Sequence, residues 1–270
     1  MTGLDNRQLF TLPELAQQAE DQAATRRATA AQAAAERAAK RRRDQLGQWM
    51  TPSSLAQRMV RSALRFAAPL AQSRSLRVLE PACGDGALVH PLALQRVSIT
   101  AIDIDPEMVR ATQSRVLATC AACGAESPIC NAAQSRCCPA CACCLEPDLA
   151  LFTGDFRLYA EGYTGSPYDL VVMNPPFHQI NEFVESACAV SRAVVLLGPT
   201  GMQHGDSHAR LHAALRIKHV RVLLKRPRFS GSTGQPRQDH VVLLGVPQTA
   251  STRERKSHRI TYGVWPDRWV

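Results

Sequence analysis

LRVLEPACGDGAL, residues 76–88, is the stretch that decides the fold of this chain. Its apolar start is typical of a buried strand, and Glu80 stands at the tip of that strand. Gly84 and Gly86 follow and allow a tight turn whose backbone can approach a ligand closely. The dinucleotide fingerprint G-x-G-x-x-G fails here, because Val89 stands where its third glycine would be. A carboxylate ahead of the glycines therefore favours a ligand with a positively charged end over one that carries phosphates.

Short β-rich runs recur after this stretch, and helix-compatible segments separate most of them. Continuous apolar strands of this kind belong in a sheet that is covered on both faces. Seven of them predict an α/β fold with a Rossmann-like, doubly wound and mostly parallel sheet, whose ligands bind at the carboxyl ends of the strands. The seven runs are LRVLE (76–80), SITAIDI (98–104), LALFTG (149–154), DLVVMN (169–174), AVVLLG (193–198), HVRVLL (219–224) and HVVLLG (240–245).

Two further strand ends carry candidate ligand-binding groups. In AIDIDP (101–106), Asp103 lies about 20 residues beyond the glycine loop, where an acid can accept hydrogen bonds from both hydroxyls of a ribose. A nucleoside with a cationic tail and no phosphate describes S-adenosylmethionine. In DLVVMNPPFHQ (169–179), a buried strand stops in an amide, two prolines without a backbone donor, and an aromatic ring. Such an ending predicts that a second ligand docks at the same edge of the sheet.

Five motifs, in this order, resemble those of class I S-adenosylmethionine-dependent methyltransferases. More narrowly, they resemble the N6-adenine DNA methyltransferases in which the cofactor motifs precede the catalytic one. The similarity covers about residues 47–118 and 148–245. The motifs are GQWMTP (47–52) at the N-terminal cofactor contact, VLEPACGDGAL (78–88) at the glycine loop, AIDIDP at the ribose, TGDF (153–156) at the cofactor adenine and NPPF (174–177) at the reacting amine.

The resemblance implies which residues act on substrate and cofactor. The Asn174 side-chain oxygen and the Pro175 carbonyl would accept the hydrogens of an exocyclic amine, and the prolines would stiffen the loop. Phe177 would stack on a base turned out of its helix. The implied catalytic residues are Asn174, Pro175, Pro176 and Phe177. The implied cofactor-binding residues are Thr51, Pro52, Glu80, Pro81, Ala82, Gly84, Gly86, Asp103, Ile104, Asp155 and Phe156.

Within that set the expected contacts differ. Thr51 and Pro52 resemble residues that contact the methionine portion of the cofactor, and Glu80 would face its amino group or organise the waters around it. Ile104 would flank the cofactor adenine. Asp155 resembles an acid that contacts the amine of that ring.

A cysteine-rich segment interrupts the resemblance. Eight of the ten cysteines fall between Cys120 and Cys144. The pairs Cys120/Cys123 and Cys138/Cys141 are separated by fourteen residues, which is close to zinc-ribbon spacing and predicts a structural Zn²⁺. Cys144 is an alternative ligand to one of these four, and one or two ions fit the cluster.

The chain divides by composition into four regions. We expect an N-terminal helical arm (1–46), the methyltransferase domain (47–118 and 148–248), the zinc-binding insertion (119–147) and a basic C-terminal tail (249–270). The arm reads as a long exposed helix that ends in KRRR. The chain has no apolar run long enough to span a bilayer and no signal-peptide pattern at its start, so we expect a cytoplasmic protein.

The charge pattern favours a polyanionic partner, with DNA as the first expectation. The formal net charge is +9 and the pI is about 9.3. The predicted phosphate contacts are Arg41, Arg42, Arg43, Lys225, Arg226, Arg228 and Arg237. Three alternatives stay open, since related motifs occur in RNA methyltransferases (guanine N2 or adenine N6) and in enzymes that methylate a glutamine of a protein, and an inactive nucleic-acid-binding module could keep the same fold. The pattern predicts no oligomeric state.

Overall fold

The computed structural model describes residues 24–34, 37, 49–71, 74–95, 97–117, 148–229, 238–248 and 260–265. The chain forms two compact units, Met1–Leu46 and Gly47–Val270. In the first unit, helix α1 covers residues 24–34, and its described side chains are exposed except for half-buried Ala33. The rest of the predicted arm lies outside the described ranges, apart from residue 37.

Among the described residues of the second unit, eight strands form one sheet. The strands run in the order β3-β2-β1-β4-β5-β7-β6-β8. Strand β7 is antiparallel to both β5 and β6, and the other five pairings are parallel. The strands are β1 Arg77–Glu80, β2 Ser98–Asp103, β3 Leu149–Thr153, β4 Leu170–Met173, β5 Val194–Pro199, β6 Leu215–Leu223, β7 His240–Pro247 and β8 Thr261–Trp265.

The prediction of seven strands was wrong by one. The additional strand β8 falls in the segment expected to be a basic tail, and it pairs with β6 in parallel. Three of its five residues are exposed, as are three of five in β3 at the opposite edge of the sheet, and Gly263 interrupts its short apolar pattern. Strand β6 also begins at Leu215, four residues before the predicted run.

Helices cover both faces of the sheet, as the apolar strands predicted. The helices of this unit are α2 Ser53–Ala67, α3 Val89–Ala93, α4 Pro106–Leu117, α5 Phe156–Glu161, α6 Ile180–Val190 and α7 Ala209–Ala214. The described part of the unit also contains four short 3₁₀ turns, Ala68–Leu70, Phe177–Gln179, Thr200–Gln203 and Asp206–His208. Among the described residues, no helix combines the length and the apolar character needed to cross a bilayer.

Alternate residues of β4 pack in two separate hydrophobic cores, one on each face of the sheet. Leu170 and Val172 pack in the cluster that contains α2 and α3, whereas Val171 and Met173 pack in the cluster that contains α5 and α6. All four side chains are fully buried. Because successive side chains of a strand point to opposite faces, a strand with helices on both sides must be apolar throughout.

The strand order reverses between β1 and β4, and this reversal places the site. These two strands are adjacent and parallel, with Leu79 opposite Val171. Their carboxyl ends therefore open on the same edge of the sheet, where Glu80 closes β1 and Asn174 follows β4. In open α/β sheets such a switch point leaves a crevice in which ligands bind.

Candidate active site

The Asn174 amide is oriented by the chain segment that precedes α2. Its Nδ2 donates to the backbone oxygen of Trp49 at 2.9 Å and to Oγ1 of Thr51 at 3.0 Å. Because a carbonyl oxygen can only accept, Nδ2 and not Oδ1 must face Trp49. Oδ1 is buried and has no hydrogen-bond partner among the described residues. A buried acceptor in this state costs free energy until a donor reaches it.

Glu80 carries a second buried oxygen without a partner. The residue is 1% exposed, and its Oε2 makes no hydrogen bond within the described part of the chain. Burial, and then the negative charges of Asp103 and Asp85, raise the pKa of the Glu80 carboxyl well above its usual range, although a backbone hydrogen bond from Ala82 opposes the shift. A ligand that brings a positive charge or several donors to this edge would relieve that cost.

The glycine loop adopts the conformation that its glycines permit. Gly84 has φ +52° and Gly86 has φ +80°, a region that side chains rarely enter. A Cβ on Gly86 would lie 3.0 Å from the backbone Cα of Thr112. The loop therefore packs tightly on α4, and only glycine fits at this point. Pro81 at the start of the loop is buried and Ala82 is half-buried.

Asp103 fixes this loop in place. Its Oδ2 accepts from the Gly84 amide at 2.8 Å, and its Oδ1 accepts from the Asp105 amide at 2.9 Å. The side chain is 5% exposed. Each carboxylate oxygen has a further lone pair, so the predicted contact with ribose hydroxyls remains chemically open. Next to it Ile104 is 53% exposed, so its side chain is accessible for the predicted contact with a flat ring.

The two residues of TGDF that were predicted to contact the cofactor adenine differ in burial: Asp155 is half-buried and Phe156 lies in the core. Asp155 caps α5 through the Arg157 amide and also pairs with the Arg157 guanidinium at 2.5 Å, which lowers the pKa of the carboxyl. Phe156 is 2% exposed and its ring packs 5.5 Å from that of Phe183 in the core. The Gly154 amide donates to the backbone oxygen of Asp103 at 2.9 Å, which brings this motif beside the ribose motif. Cofactor contacts for Asp155 and Phe156 stay predictions.

The catalytic motif continues into an aromatic cluster. Pro175 is buried and Pro176 half-buried, and half-buried Phe177 lies 6.4 Å from Phe229 and 5.5 Å from His240 between ring centroids. Burial lowers the pKa of His240, so its ring is neutral at pH 7 and packs as an aromatic group. Sequence reasoning missed this cluster, because its members come from three separate segments.

A polar network joins the glycine loop to the start of α2. Arg115 of α4 donates to Asp85 at 2.8 Å and to the Ser53 hydroxyl at 3.1 Å. The motif GQWMTP gave a signal for a cofactor contact, but nothing in the sequence pointed to Arg115 or to the contact between Asn174 and Trp49.

Three of the predicted phosphate contacts line a cleft beside this site. Lys225, Arg226 and Arg228 are exposed, and Arg226 also pairs with Asp239 at 2.7 Å. The cleft has a volume of about 400 Å³, and its lining is Pro52, Ser54 and Leu55 together with residues 225–228. Pro52, a predicted cofactor-binding residue, thus lines the same cleft as three residues predicted to contact phosphates. Arg41, Arg42, Arg43 and Arg237 lie outside the described residues.

The predicted zinc ligands Cys120, Cys123, Cys138, Cys141 and Cys144 also lie outside the described ranges. Within those ranges, no group of three or more His, Cys, Asp or Glu side chains is arranged to hold a metal ion. The two described cysteines, Cys83 and Cys188, are free thiols whose pKa is raised by burial, to about 12 for Cys188. The zinc site stays a prediction of the sequence.

Comparison with solved structures identifies the fold. One match is a protein of Listeria monocytogenes assigned to the class I S-adenosylmethionine-dependent methyltransferases, with a TM-score of 0.53, 13% identity, and coverage of 81% of this chain and 66% of that one. Another is a protein of Pyrococcus horikoshii assigned as an RNA methyltransferase, with a TM-score of 0.51, 15% identity, and coverage of 75% and 88%. The chain has the class I methyltransferase fold.

Sequence similarity adds nothing to this assignment. No protein-family model matches the chain, and no curated protein sequence matches it significantly. The chain spans about two thirds of the length of the Listeria protein. At these identities the likeness concerns the fold, so cofactor and substrate must be argued from the side chains of the site.

Proposed function

We propose that this protein is an S-adenosylmethionine-dependent N-methyltransferase that acts on the exocyclic amine of a nucleic-acid base, adenine N6 in DNA. The observation that carries the proposal is the Asn174 amide. Both of its hydrogens face Trp49 and Thr51, and its oxygen is buried at the switch point without a partner among the described residues. An amine that donates to Oδ1 would satisfy this oxygen.

The residues of the neighbouring edge fit the proposed cofactor. The unpartnered Oε2 of Glu80 suits an ammonium group, and the positive φ of Gly84 and Gly86 permits close approach of the backbone. Asp103 and exposed Ile104 lie side by side at the end of β2, as a ribose and its attached base would require. When bound, S-adenosylmethionine supplies a methyl group activated by a positively charged sulfur.

The chain's own contribution is to hold the amine. The lone pair of an aromatic amine is delocalised into the ring, so the amine is a weak nucleophile. Asn174 Oδ1 accepts one amine hydrogen, and the Pro175 carbonyl is the candidate acceptor for the other. Two acceptors increase electron density on nitrogen and fix its direction. In the proposed transfer a carbon–nitrogen bond would form as the methyl–sulfur bond breaks, and the sulfur would leave as a neutral thioether. The methylated nitrogen would then lose one proton to water, and no covalent enzyme intermediate is needed.

A polymeric substrate is supported by the charged cleft. Three cations line it together with the residues that open α2, and phosphates are the groups that such cations bind in nucleic acids. The net charge of +9 agrees with a polyanionic partner. RNA is the second candidate, because a phosphate backbone is common to both polymers and the Pyrococcus protein of the same fold is assigned as an RNA methyltransferase.

A transfer assay tests the proposal. The protein is incubated with tritiated S-adenosylmethionine and, separately, with unmethylated genomic DNA, total RNA and a protein extract. Labelled polymer is then digested and its nucleosides identified by mass spectrometry. N6-methyldeoxyadenosine is the expected product. If only RNA is labelled, the substrate is RNA and not DNA. If only protein is labelled, the proposal of a nucleic-acid substrate is overturned.

The enzyme and the inactive binding module are distinguished in the same experiment. The Asn174→Ala variant serves as the blank, since it removes the proposed acceptor and leaves Glu80 and Asp103 in place. Tight binding of cofactor by calorimetry without label in any of the three pools would favour the inactive module.

A further inference from the structure

The start of the second unit holds the amide of Asn174 with two acceptors. An amide NH₂ group has two hydrogens, and the Trp49 backbone oxygen and Thr51 Oγ1 use both. Thr51 is 7% exposed, so water does not readily replace its hydroxyl in this contact. The orientation of the Asn174 amide is therefore determined by residues more than 120 positions away in the chain.

We propose that Thr51 is a positioning residue for methyl transfer, which acts by fixing the Asn174 amide so that Oδ1 faces the substrate amine. The role rests on the proposed function and deepens it. It differs from the role that the resemblance implied for Thr51, which was a contact with the methionine portion of the cofactor. The Thr51 hydroxyl accepts a hydrogen bond from Asn174 in this structure. Its loss should therefore lower the rate of methyl transfer and leave the affinity for the cofactor unchanged.

The two acceptors, the Trp49 backbone oxygen and Thr51 Oγ1, lie in a well-packed part of the fold. Trp49 packs against the core cluster on the α2 face of the sheet. The Pro52 backbone oxygen accepts from the Ala56 amide at 2.9 Å and so opens α2. A residue that precedes a proline is restricted to extended conformations, which limits the backbone freedom of Thr51. Because α2 packs against β4, the strand that Asn174 directly follows, the amide and its acceptors are held in one packed region.

The same segment touches the glycine loop. The sulfur of Met50 lies 3.0 Å from the point where a Cβ on Gly84 would stand. Ser53 accepts from Arg115, which also holds Asp85 of that loop. Residues 49–53 therefore contact both the loop proposed for the cofactor and the amide proposed for the substrate. A substitution at Thr51 that keeps the shape of the side chain removes the hydroxyl and should leave the contacts of Met50 and Ser53 with the glycine loop in place.

Two substitutions at one position test the role. Thr51→Val keeps the shape and removes the acceptor, whereas Thr51→Ser keeps the hydroxyl. On the polymer that the wild type methylates, we expect kcat to fall roughly fivefold to tenfold in the valine variant and to return to within about twofold in the serine variant. The dissociation constant for S-adenosylmethionine, measured by calorimetry, should stay within about twofold in both. Thr51→Ala replaces the valine variant if that protein does not fold.

Thr100→Val is the matched control. The Thr100 hydroxyl also accepts one side-chain hydrogen bond, from Tyr168 at 3.1 Å, but it lies within β2 and outside the proposed site. Its loss should leave kcat unchanged. If Thr51→Val weakens cofactor binding tenfold or more with kcat unaltered, Thr51 is a cofactor contact and the positioning role is overturned.

A second measurement does not depend on activity. In ¹⁵N-edited spectra of the whole protein, the side-chain NH₂ pair of Asn174 is identified by its absence from the Asn174→Asp variant. Thr51→Val should shift this pair by several tenths of a ppm in ¹H, because one hydrogen loses its acceptor, and Thr51→Ser and Thr100→Val should not. An unshifted pair in the valine variant would overturn the proposal. If the wild type methylates none of the pools, the proposed function fails, and the spectra alone decide whether Thr51 holds the amide.

Discussion

Replacing Glu80 by glutamine should make the protein more stable and its cofactor binding weaker at the same time. Glu80 is 1% exposed, one of its oxygens has no partner among the described residues, and Asp103 and Asp85 add negative charge nearby. Holding the ionised carboxylate in such a place costs free energy that a neutral side chain of the same size does not cost, which is why its pKa is raised. The ionised carboxylate therefore lowers stability, as expected of a group that a ligand is to neutralise.

The size of the effect follows from this environment. An unsatisfied buried group costs about 1–3 kcal/mol, and more when it is charged. Glutamine removes the charge but keeps a polar amide, so we expect a gain of about 2 kcal/mol in the free energy of unfolding at pH 7. In a unit of this size the gain corresponds to a rise of roughly 4–8 °C in Tm. Loss of a charged hydrogen-bond partner should raise the Kd for S-adenosylmethionine roughly tenfold to hundredfold.

The pH dependence has a definite sign. The folded state raises the pKa of Glu80, so it binds the Glu80 proton more tightly than the unfolded chain does. Below the unfolded value of about 4.3 both states are protonated, and the variant should match the wild type. As pH rises through that value the wild type loses stability relative to the variant. The difference reaches its full size only above the raised folded pKa.

Thermal melts without ligand from pH 4 to pH 8, with calorimetry of S-adenosylmethionine binding at pH 7, measure both effects. Glu161→Gln is the matched control, because Glu161 is exposed and should change neither quantity. A variant that melts below the wild type at pH 7, or that binds the cofactor with unchanged affinity, would refute the reasoning.

Three further outcomes are expected. Asn174→Ala should lower the rate of methyl transfer about 10²–10³-fold with little change in cofactor Kd, measured by the tritium assay and calorimetry; most of the activity surviving would place the chemistry elsewhere. DNA affinity should fall steeply between about 50 and 200 mM salt, and Lys225→Ala and Arg228→Ala should each reduce the slope of log K against log salt by about one, whereas a salt-independent affinity would argue against phosphate contacts. Protein purified without a histidine tag under reducing conditions should hold at least about one equivalent of zinc by plasma mass spectrometry and lose it in Cys123→Ser, and less than about half an equivalent in the wild type would reject the zinc ribbon.

The strands show how far local pattern carries. The apolar runs marked β4, β5 and β7 because burial on both faces leaves little room for polar residues in a central strand, whereas the run LALFTG marked β3 at one edge although three of its five residues are exposed. Strand β8 was missed because Gly263 interrupts its five residues and weakens the strand pattern, and Tyr262 and Val264 are more than half exposed. The antiparallel direction of β7 has no local signature either, since pairing direction is set by the connections and not by the residues of the strand.

The site divides in the same way. The sequence alone predicted a carboxylate and a glycine loop at the end of the first strand, an acid at the end of the second and an amide after the fourth, because each lies within a few residues of a strand-like run. Only the tertiary structure decided that the Asn174 amide faces Trp49 and Thr51, that Arg115 ties Asp85 to Ser53, and that one oxygen of Glu80 is left without a partner among the described residues. These contacts join residues from 30 to 125 positions apart. Burial periodicity and turn chemistry act over a few neighbouring residues, whereas the partner of a polar atom is fixed by which strands become neighbours in the sheet.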